Sequence, residues 1–533
     1  MGNRKSSTKR KNNFIFSLQK RKDKDEQVEL EQKIKQLEDI NINNPTEETQ
    51  DSLRKYKLKL NELINKHTQF LIHRLRQENF HHNNKSGKYL ANQIKQNKEK
   101  ATIPVIVDTA GKSTNSPDEI NQIFQNFYSK LYSSNKDPDQ QDIDSFLNNI
   151  NQPQLSKHQI NTLESPLSEY ELFNALKLKP NNKAPGPDGF PAEFYKHFWS
   201  ILSPLFIRMI TESKQKSKLP DTINTATISL LLKPNKDPTL PSSYRPISLI
   251  NVDIQIIAKA LAHRIEKVTP SIIHSDQTGF IKGRLSSNNT RRLFNLMHYS
   301  STQKTKTIIV TLDAEKAFDK VNWKFLFSTL ERFGFGESFI NWIKILYTSP
   351  SATVITNGLT SHIFTLQRGT RQGCPLSPSL FTIFIEPLAA AIRQNSYIKG
   401  IQTLNMHHKI SLYADDILLY LQDPSSSLQE AIKLIDSFSN ISEYSINWSK
   451  SAILSLHSNS LDVTSQTSPI PLCTNYITYL GINVSPRLSE LFELNFTPLL
   501  KTINDDLHRW MNLPLSIMGR ISVIKMTILP KLN

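Results

Sequence analysis

Apolar and polar positions change their rhythm twice along the chain. Over residues 26–80 they recur at helical spacing. Leu53, Tyr56, Leu60, Leu63, His67 and Phe70 step by alternating threes and fours, and residues 41–45, closed by Pro45, punctuate the stretch. Such a seam predicts two helices packed as an antiparallel hairpin or a short coiled coil. Ile120, Phe124, Phe127 and Leu131 repeat the spacing and predict one amphipathic helix. Asn, Asp and Gln then dominate residues 133–153, where a linker is expected. From about Pro166 apolar residues become denser and two periods mix. Leu172, Leu176 and Leu178 mark a helix that ends at Pro180-Asn181-Asn182, and residues 254–268 a helix stopped near Pro270. Residues 227–232 and 307–312 are strand-length runs of apolar and β-branched residues, and 410–421 reads as strand, turn, strand. Helices and strands in this irregular order predict an α+β domain with a partly antiparallel sheet. No internal repeat is visible.

Composition narrows the class. The chain has 533 residues, about three or four units at roughly 100–200 residues per domain. Aromatic residues, 9 % of the total and spread along the chain, argue against uniform disorder. Two cysteines, Cys374 and Cys473, exclude a disulfide scaffold and a Cys-rich zinc module. No apolar run approaches the ~18 residues of a membrane span, and no signal-peptide core follows the N-terminus. Lys and Arg total 65 against 48 Asp and Glu, a formal net charge of +17, which favours a polyanionic partner, nucleic acid first. Residues 1–22 carry eight Lys or Arg and no acid, either an arm for nucleic acid or nuclear import or a solvated tail. The opening Met1-Gly2-Asn3-Arg4-Lys5-Ser6 fits the short, degenerate myristoylation pattern. Gly111-Lys112-Ser113 resembles the end of a phosphate-binding loop, but position 106 is Ile where that loop needs Gly.

The chemistry concentrates at two places. The 307–312 strand ends in Asp313, and Asp415-Asp416 stands between apolar β-formers in 411–420. A carboxylate at the end of a buried strand is costly unless exposed or neutralised by a cation. Adjacent carboxylates at a hairpin tip repel each other, and a divalent cation relieves the repulsion. Three carboxylates gathered from two strands suit two magnesium ions and in-line phosphoryl transfer. A lone Asp-Asp would be ordinary turn chemistry. The apolar flanks and Asp313 give this one more weight.

With these residues in view the sequence resembles a known family. Tyr413-Ala-Asp-Asp416 resembles the catalytic motif of reverse transcriptases, and Leu312-Asp-Ala-Glu-Lys-Ala-Phe-Asp-Lys320 their first aspartate motif. Arg368-Gly-Thr-Arg-Gln-Gly-Cys-Pro-Leu-Ser-Pro378 is similar to the loop before their long palm helix. Asn182-Lys-Ala-Pro-Gly-Pro-Asp-Gly189, Tyr244-Arg-Pro-Ile-Ser-Leu249, Gln277-Thr-Gly-Phe-Ile-Lys-Gly283 and Tyr479-Leu-Gly481 follow in the family's order. Together they resemble the second open reading frame of non-LTR (LINE-type) retrotransposons over residues 165–533.

The resemblance implies a right-hand polymerase: fingers and palm over 165–485 and a partial thumb over 486–533. Before them would come a basic arm (1–22) and a helical extension with linker (23–164). Asp313 and Asp415 would be the main metal ligands and Asp416 a weaker or shared one. Ala314, Phe318, Gln372, Gly373 and Arg245 would line the nucleotide. Phe318 would be the steric gate against a 2′-hydroxyl, although plain core packing fits its spacing as well. Arg245 would bind phosphates bidentately, or be a surface arginine. Lys450 would protonate the leaving pyrophosphate, or be merely solvated. Tyr479, Leu480 and Gly481 would grip the primer. Cys374 has no general base nearby and reads as a packing residue. The pairs His81-His82 and His407-His408 lack metal-ligand spacing.

The implied function is RNA-directed DNA synthesis with two Mg2+ ions, an RNA template, a DNA primer and deoxynucleoside triphosphates, without membrane attachment, inside the cell in nucleus and cytoplasm. The alternative is a retrotransposon remnant that binds nucleic acid without turnover. The family's endonuclease and C-terminal Cys-rich segment have no counterpart in these residues, so a fragment that extends a supplied primer without nicking DNA is expected.

Overall fold

The computed structural model describes residues 29–38, 50–60, 62, 102–108, 110–134, 137–404, 406–456, 469–511 and 517–532. Residues 29–38 and 50–60 are helical. Lys57 pairs with Glu38 at 2.6 Å and the Lys33 ammonium lies 6.0 Å from the centre of the Tyr56 ring, so the two helices lie side by side. Leu63, His67 and Phe70 of the expected seam fall outside the described residues, as does the basic arm 1–22.

Two five-stranded sheets organise the remainder. In the first the spatial order is Ile410–Tyr413, Asp416–Gln422, Thr307–Leu312, Ala452–Ser455, Leu472–Cys473. Every neighbouring pair is antiparallel except the last. Alternate residues of a strand face opposite sides of the sheet. Ile308, Val310 and Leu312 accordingly join the main core with Ile417, Leu419 and Leu421, while Ile309, Leu418, Tyr420 and Leu454 pack in a second cluster. Both faces are covered, which is why these strands read as nearly unbroken apolar runs.

The second sheet runs Tyr244–Leu249, Thr225–Leu232, Ser351–Thr356, Leu359–Thr360, and Phe364–Thr365 also pairs with Ser351–Thr356. Helix Pro117–Tyr132 lays Ile120, Phe124, Tyr128 and Leu131 against Ile228, Tyr244, Ala352 and Val354 of this sheet. The amphipathic helix expected from the 120–131 spacing is therefore present, with Phe127 half-buried at its edge.

The stretch expected to be a linker contains helix Gln140–Asn148, capped by the Asp139 carboxylate on the Gln141 N–H. Its polar residues are capping or solvent-facing, and Ile143 and Leu147, one turn apart, enter the main core. Phe146, half-buried, adds its ring against Phe438 at 5.8 Å between centres, and three apolar positions suffice for a nine-residue helix once a core is there to receive them. That core runs without a break from Ile143 through Leu163 into the residues beyond 165.

Helix Val252–Ile272 is buried on most sides and passes two residues beyond Pro270 before stopping. Its Arg264 ties the preceding segment down. The buried guanidinium donates to both Glu171 oxygens, at 2.8 and 2.7 Å, and to the carbonyls of Leu163, at 2.9 Å, Ser165 and Pro166. Burial acts to raise the Glu171 carboxyl, but hydrogen bonds from Arg264 and Ser168 outweigh it and hold the group at about 2. No helix among the described residues is long and apolar enough to cross a membrane.

Candidate active site

The site begins at a turn. Strands Ile410–Tyr413 and Asp416–Gln422 are joined through Ala414 and Asp415, with Tyr413 opposite Asp416. Ala414 takes φ +57, a left-handed conformation that costs an L-residue about 1–2 kcal/mol. Gln277 holds it there. Its buried side chain accepts the Ala414 N–H at 2.9 Å and the Gly279 N–H at 2.8 Å, and donates to the Ala414 carbonyl at 3.3 Å. Gly279 is required by the close approach: a Cβ there would stand 2.3 Å from the Ala414 nitrogen. The Leu412 N–H donates to the Asp276 carbonyl and the Thr278 N–H to the Leu412 carbonyl, both at 2.9 Å, which anchors the second segment along the hairpin. Gln277 lies in one of the family-like motifs, but its clamping role is visible only in three dimensions.

The three aspartates meet at one end of the first sheet. Leu312 pairs with Ile417, so the next residue, Asp313, comes level with Asp416 at the hairpin tip. The Asp313 N–H donates to Ser451 Oγ at 3.2 Å and its carbonyl accepts from the Asn447 N–H at 2.7 Å, while Ala314 bridges to Ile446. Lys450 Nζ lies 3.9 Å from Asp313 Oδ2. Burial raises the Asp415 carboxyl, and the charge of Asp313 adds to the effect. Asp416 is pushed up to about 6, first by desolvation, then by Asp415 and Asp313. It stands exposed at the tip, so solvent tempers that shift. Among the described residues no three His, Cys, Asp or Glu side chains form a ready-made metal cage. The mutual repulsion of three carboxylates is nevertheless the condition a hard divalent cation relieves, and carboxylate oxygens are the donors it takes.

Around this tip lie the other expected residues. Phe318 is half-buried, stacked on Phe381 at 4.4 Å between ring centres and edge-on to Phe280 at 6.2 Å. It is both packed and partly open. Gly373 has φ +110, and a Cβ there would come 2.9 Å from the Ser248 carbonyl. The Ser248 N–H donates to the Gln372 carbonyl at 2.8 Å, which fastens this loop to strand Tyr244–Leu249. Arg245 is exposed on that strand. Lys233, which the sequence pattern left without a role, joins the same electrostatic neighbourhood. Desolvation first, then the charges of Lys450 and Arg245, lower its ammonium. Its signal in the sequence was its place at the end of a strand, as with Asp313. The Gln372 amide donates to Asp319, at 3.2 and 3.1 Å.

The expected primer contact needs correction. Tyr479 is only 3 % exposed, and its hydroxyl accepts from Asn289 Nδ2 at 3.2 Å within the second core cluster. Its ring supports the fold instead of presenting a surface. Leu480 and Gly481, both at positive φ, make the turn between Ile477–Tyr479 and Ile482–Val484, and Gly481 is exposed there. Cys374 is partly buried, and burial pushes its thiol up, as suits a packing residue. His408 Nε2 pairs with Thr403 Oγ1 at 2.9 Å, and His81-His82 fall outside the described residues.

Comparison with known proteins agrees with this geometry. Residues 232–484 match the reverse transcriptase (RNA-dependent DNA polymerase) family model. The transposon TX1 uncharacterized 149 kDa protein of Xenopus laevis is 33 % identical over 422 residues, 78 % of this chain and 32 % of that protein. The retrovirus-related Pol polyprotein from type-1 retrotransposable element R2 of Popillia japonica is 26 % identical over 379 residues, 69 % of this chain and 51 % of that one. The RNA-directed DNA polymerase from mobile element jockey of Drosophila funebris is 25 % identical over 279 residues, 52 % of this chain and 29 % of its own length. Residues 232–484 are thus a reverse transcriptase domain, of the kind carried by non-LTR retrotransposons. The domain implies a right-hand polymerase fold, and its family generally uses divalent metal ions. The chain spans between about a third and half of the length of these relatives.

Proposed function

We propose that the protein is an RNA-directed DNA polymerase that extends a DNA primer 3′-hydroxyl on an RNA template. The observation that carries the reading is the meeting of Asp313, Asp415 and Asp416 at adjacent strand ends, where burial and mutual repulsion raise the latter two. The first sheet is the palm. The second sheet belongs to the fingers, and fingers and palm together take up residues 165–485. The described residues after 485 belong to the thumb, and the described helices before residue 165 to the helical extension. Asp313 and Asp415, with Asp416 as a weaker or shared ligand, would hold two magnesium ions, whose chemistry when bound is Lewis acidity at the primer oxygen and the triphosphate.

The remaining residues do the protein's own share of the work. Arg245 and Lys233 offset the triphosphate charge. Lys450, within reach of Asp313, delivers a proton to the departing pyrophosphate. Phe318, backed by Phe381, occupies the space a 2′-hydroxyl would need. Ala314, Gln372 and Gly373 line the nucleotide, and the Leu480-Gly481 turn, exposed at Gly481, takes the primer backbone. The test is extension of a labelled primer on an RNA template by the purified chain with magnesium and deoxynucleotides. Template-dependent extension supports the reading. RNA binding without extension would make the chain a binding remnant.

A further inference from the structure

Six residues beyond Asp313, Asp319 is 1 % exposed. A buried carboxylate is costly unless it is matched by donors, and here the donors come from two other elements. Tyr132, the last residue of helix Pro117–Tyr132, donates its hydroxyl to Oδ1 at 2.9 Å. Gln372 Nε2 donates to Oδ1 at 3.2 Å and to Oδ2 at 3.1 Å. Burial pushes the Asp319 carboxyl up to about 6, while the Tyr132 hydroxyl, the charge of the half-buried Lys316 and the Gln372 amide act against it, so the group is ionised at neutral pH. The Lys316 ammonium also stands 4.0 Å from the centre of the Phe127 ring on the same helix as Tyr132. The backbone closes the arrangement. The Gln367 N–H donates to the Tyr132 carbonyl and Arg368 Nε to the Leu131 carbonyl, both at 2.9 Å. At Gly369, a Cβ would stand 2.6 Å from the Asp319 carbonyl oxygen. One carboxylate therefore gathers the end of a helix that lies before the family match, the 316–320 turn and the 367–373 loop.

An ionised carboxylate only accepts hydrogen bonds, so the amide nitrogen of Gln372 must face Asp319 and its Oε1 is turned away. A glutamine amide otherwise fits nearly the same space either way round, and its hydrogen-bond network decides between the two. We propose that Asp319, supported by Tyr132, is a positioning residue that fixes which end of the Gln372 amide meets the incoming nucleotide, presenting an acceptor oxygen to its hydroxyl or amino donors. The inference rests on the polymerase reading and on Gln372 as a nucleotide contact. It also makes helix Pro117–Tyr132 part of the nucleotide site.

Steady-state extension by the full chain, with KM for deoxynucleotide and kcat measured separately, tests it. Asp319→Asn keeps the shape but offers either a donor or an acceptor, so the Gln372 amide is free to turn. The loss of one well-placed hydrogen bond to the substrate should raise KM about tenfold with little change in kcat. Tyr132→Phe, which removes one hydroxyl and keeps the ring, should raise KM less and in the same direction. In a Gln372→Ala background Asp319→Asn should add less than about twofold, because residues acting through one another are non-additive. An unchanged KM in both single variants overturns the assignment, as does a fall in kcat alone or a full additional effect in the Gln372→Ala background. If Asp319→Asn does not fold, Tyr132→Phe decides alone. A wild-type chain that extends no primer removes the polymerase reading and this assignment together. A wild type that extends while the variants keep its KM removes this assignment only.

Discussion

Replacing Gln277 by methionine tests the turn that carries Asp415 and Asp416. Methionine fills nearly the same volume but accepts almost nothing. The N–H groups of Ala414 and Gly279 would both lose their acceptor, at present 2.9 and 2.8 Å away. Each buried donor left unpaired costs about 1–3 kcal/mol, so the clamp is worth about 2–6 kcal/mol. Part of that is felt as global stability, out of the 5–15 kcal/mol a domain of ordinary stability has. The rest is felt locally, because Ala414 at φ +57 relaxes once its partner is gone. If only 2 kcal/mol falls on the turn, the competent geometry becomes more than tenfold rarer. Gln277→Met should therefore lower the melting temperature and reduce primer extension at least tenfold, with RNA retention on a filter unchanged because no basic residue is touched. A variant that melts with the wild type and extends within twofold of it would refute the clamp.

Phe318→Ala should raise ribonucleotide incorporation relative to deoxynucleotide severalfold. The ratio is the proper readout, since loss of the Phe381 stack also lowers stability; an unchanged ratio would leave Phe318 a packing residue. The raised Asp415 and Asp416 carboxyls predict the sign of a pH effect. A carboxyl raised in the folded state holds its proton while the unfolded chain releases one, so metal-free stability falls as pH rises from about 4 towards 6 and then levels. Magnesium relieves the same repulsion, so its effect on melting temperature should be larger at pH 7.5 than at pH 5; an equal shift at both would contradict the cation site. RNA binding should weaken steeply with salt, with a slope of about −0.7 per phosphate contacted on single strands. Trimming residues 1–22 should flatten that slope, and an unchanged slope would leave the arm a solvated tail.

How much of this was legible depended on whether a residue's partners lay nearby in the chain. Strand Thr307–Leu312 and the Asp415–Asp416 hairpin stood out because both faces of their sheet are covered, which forces an apolar residue at nearly every position and makes a carboxylate at the end conspicuous. Helix Gln140–Asn148 was hidden because its composition is polar and only Ile143, Leu147 and the half-buried Phe146 meet the core. The Tyr132–Asp319–Gln372 contacts join residues 187 and 53 positions apart, and no local spacing reports them. Tyr479 misled for a similar reason. An aromatic beside a turn glycine looks presented to a ligand, and only the packing of Asn289 and Tyr420 around it shows that the ring points inward.

The account stands most directly on one comparison: magnesium-dependent primer extension on an RNA template by the wild type, Asp313→Asn and Asp415→Asn, each with RNA affinity measured in parallel. The account predicts extension by the wild type, loss of it in both variants, and RNA affinity nearly unchanged in all three, since these carboxylates are assigned to metal and not to template. Equal extension by the wild type and both variants, in a preparation free of contaminating polymerase, would contradict it.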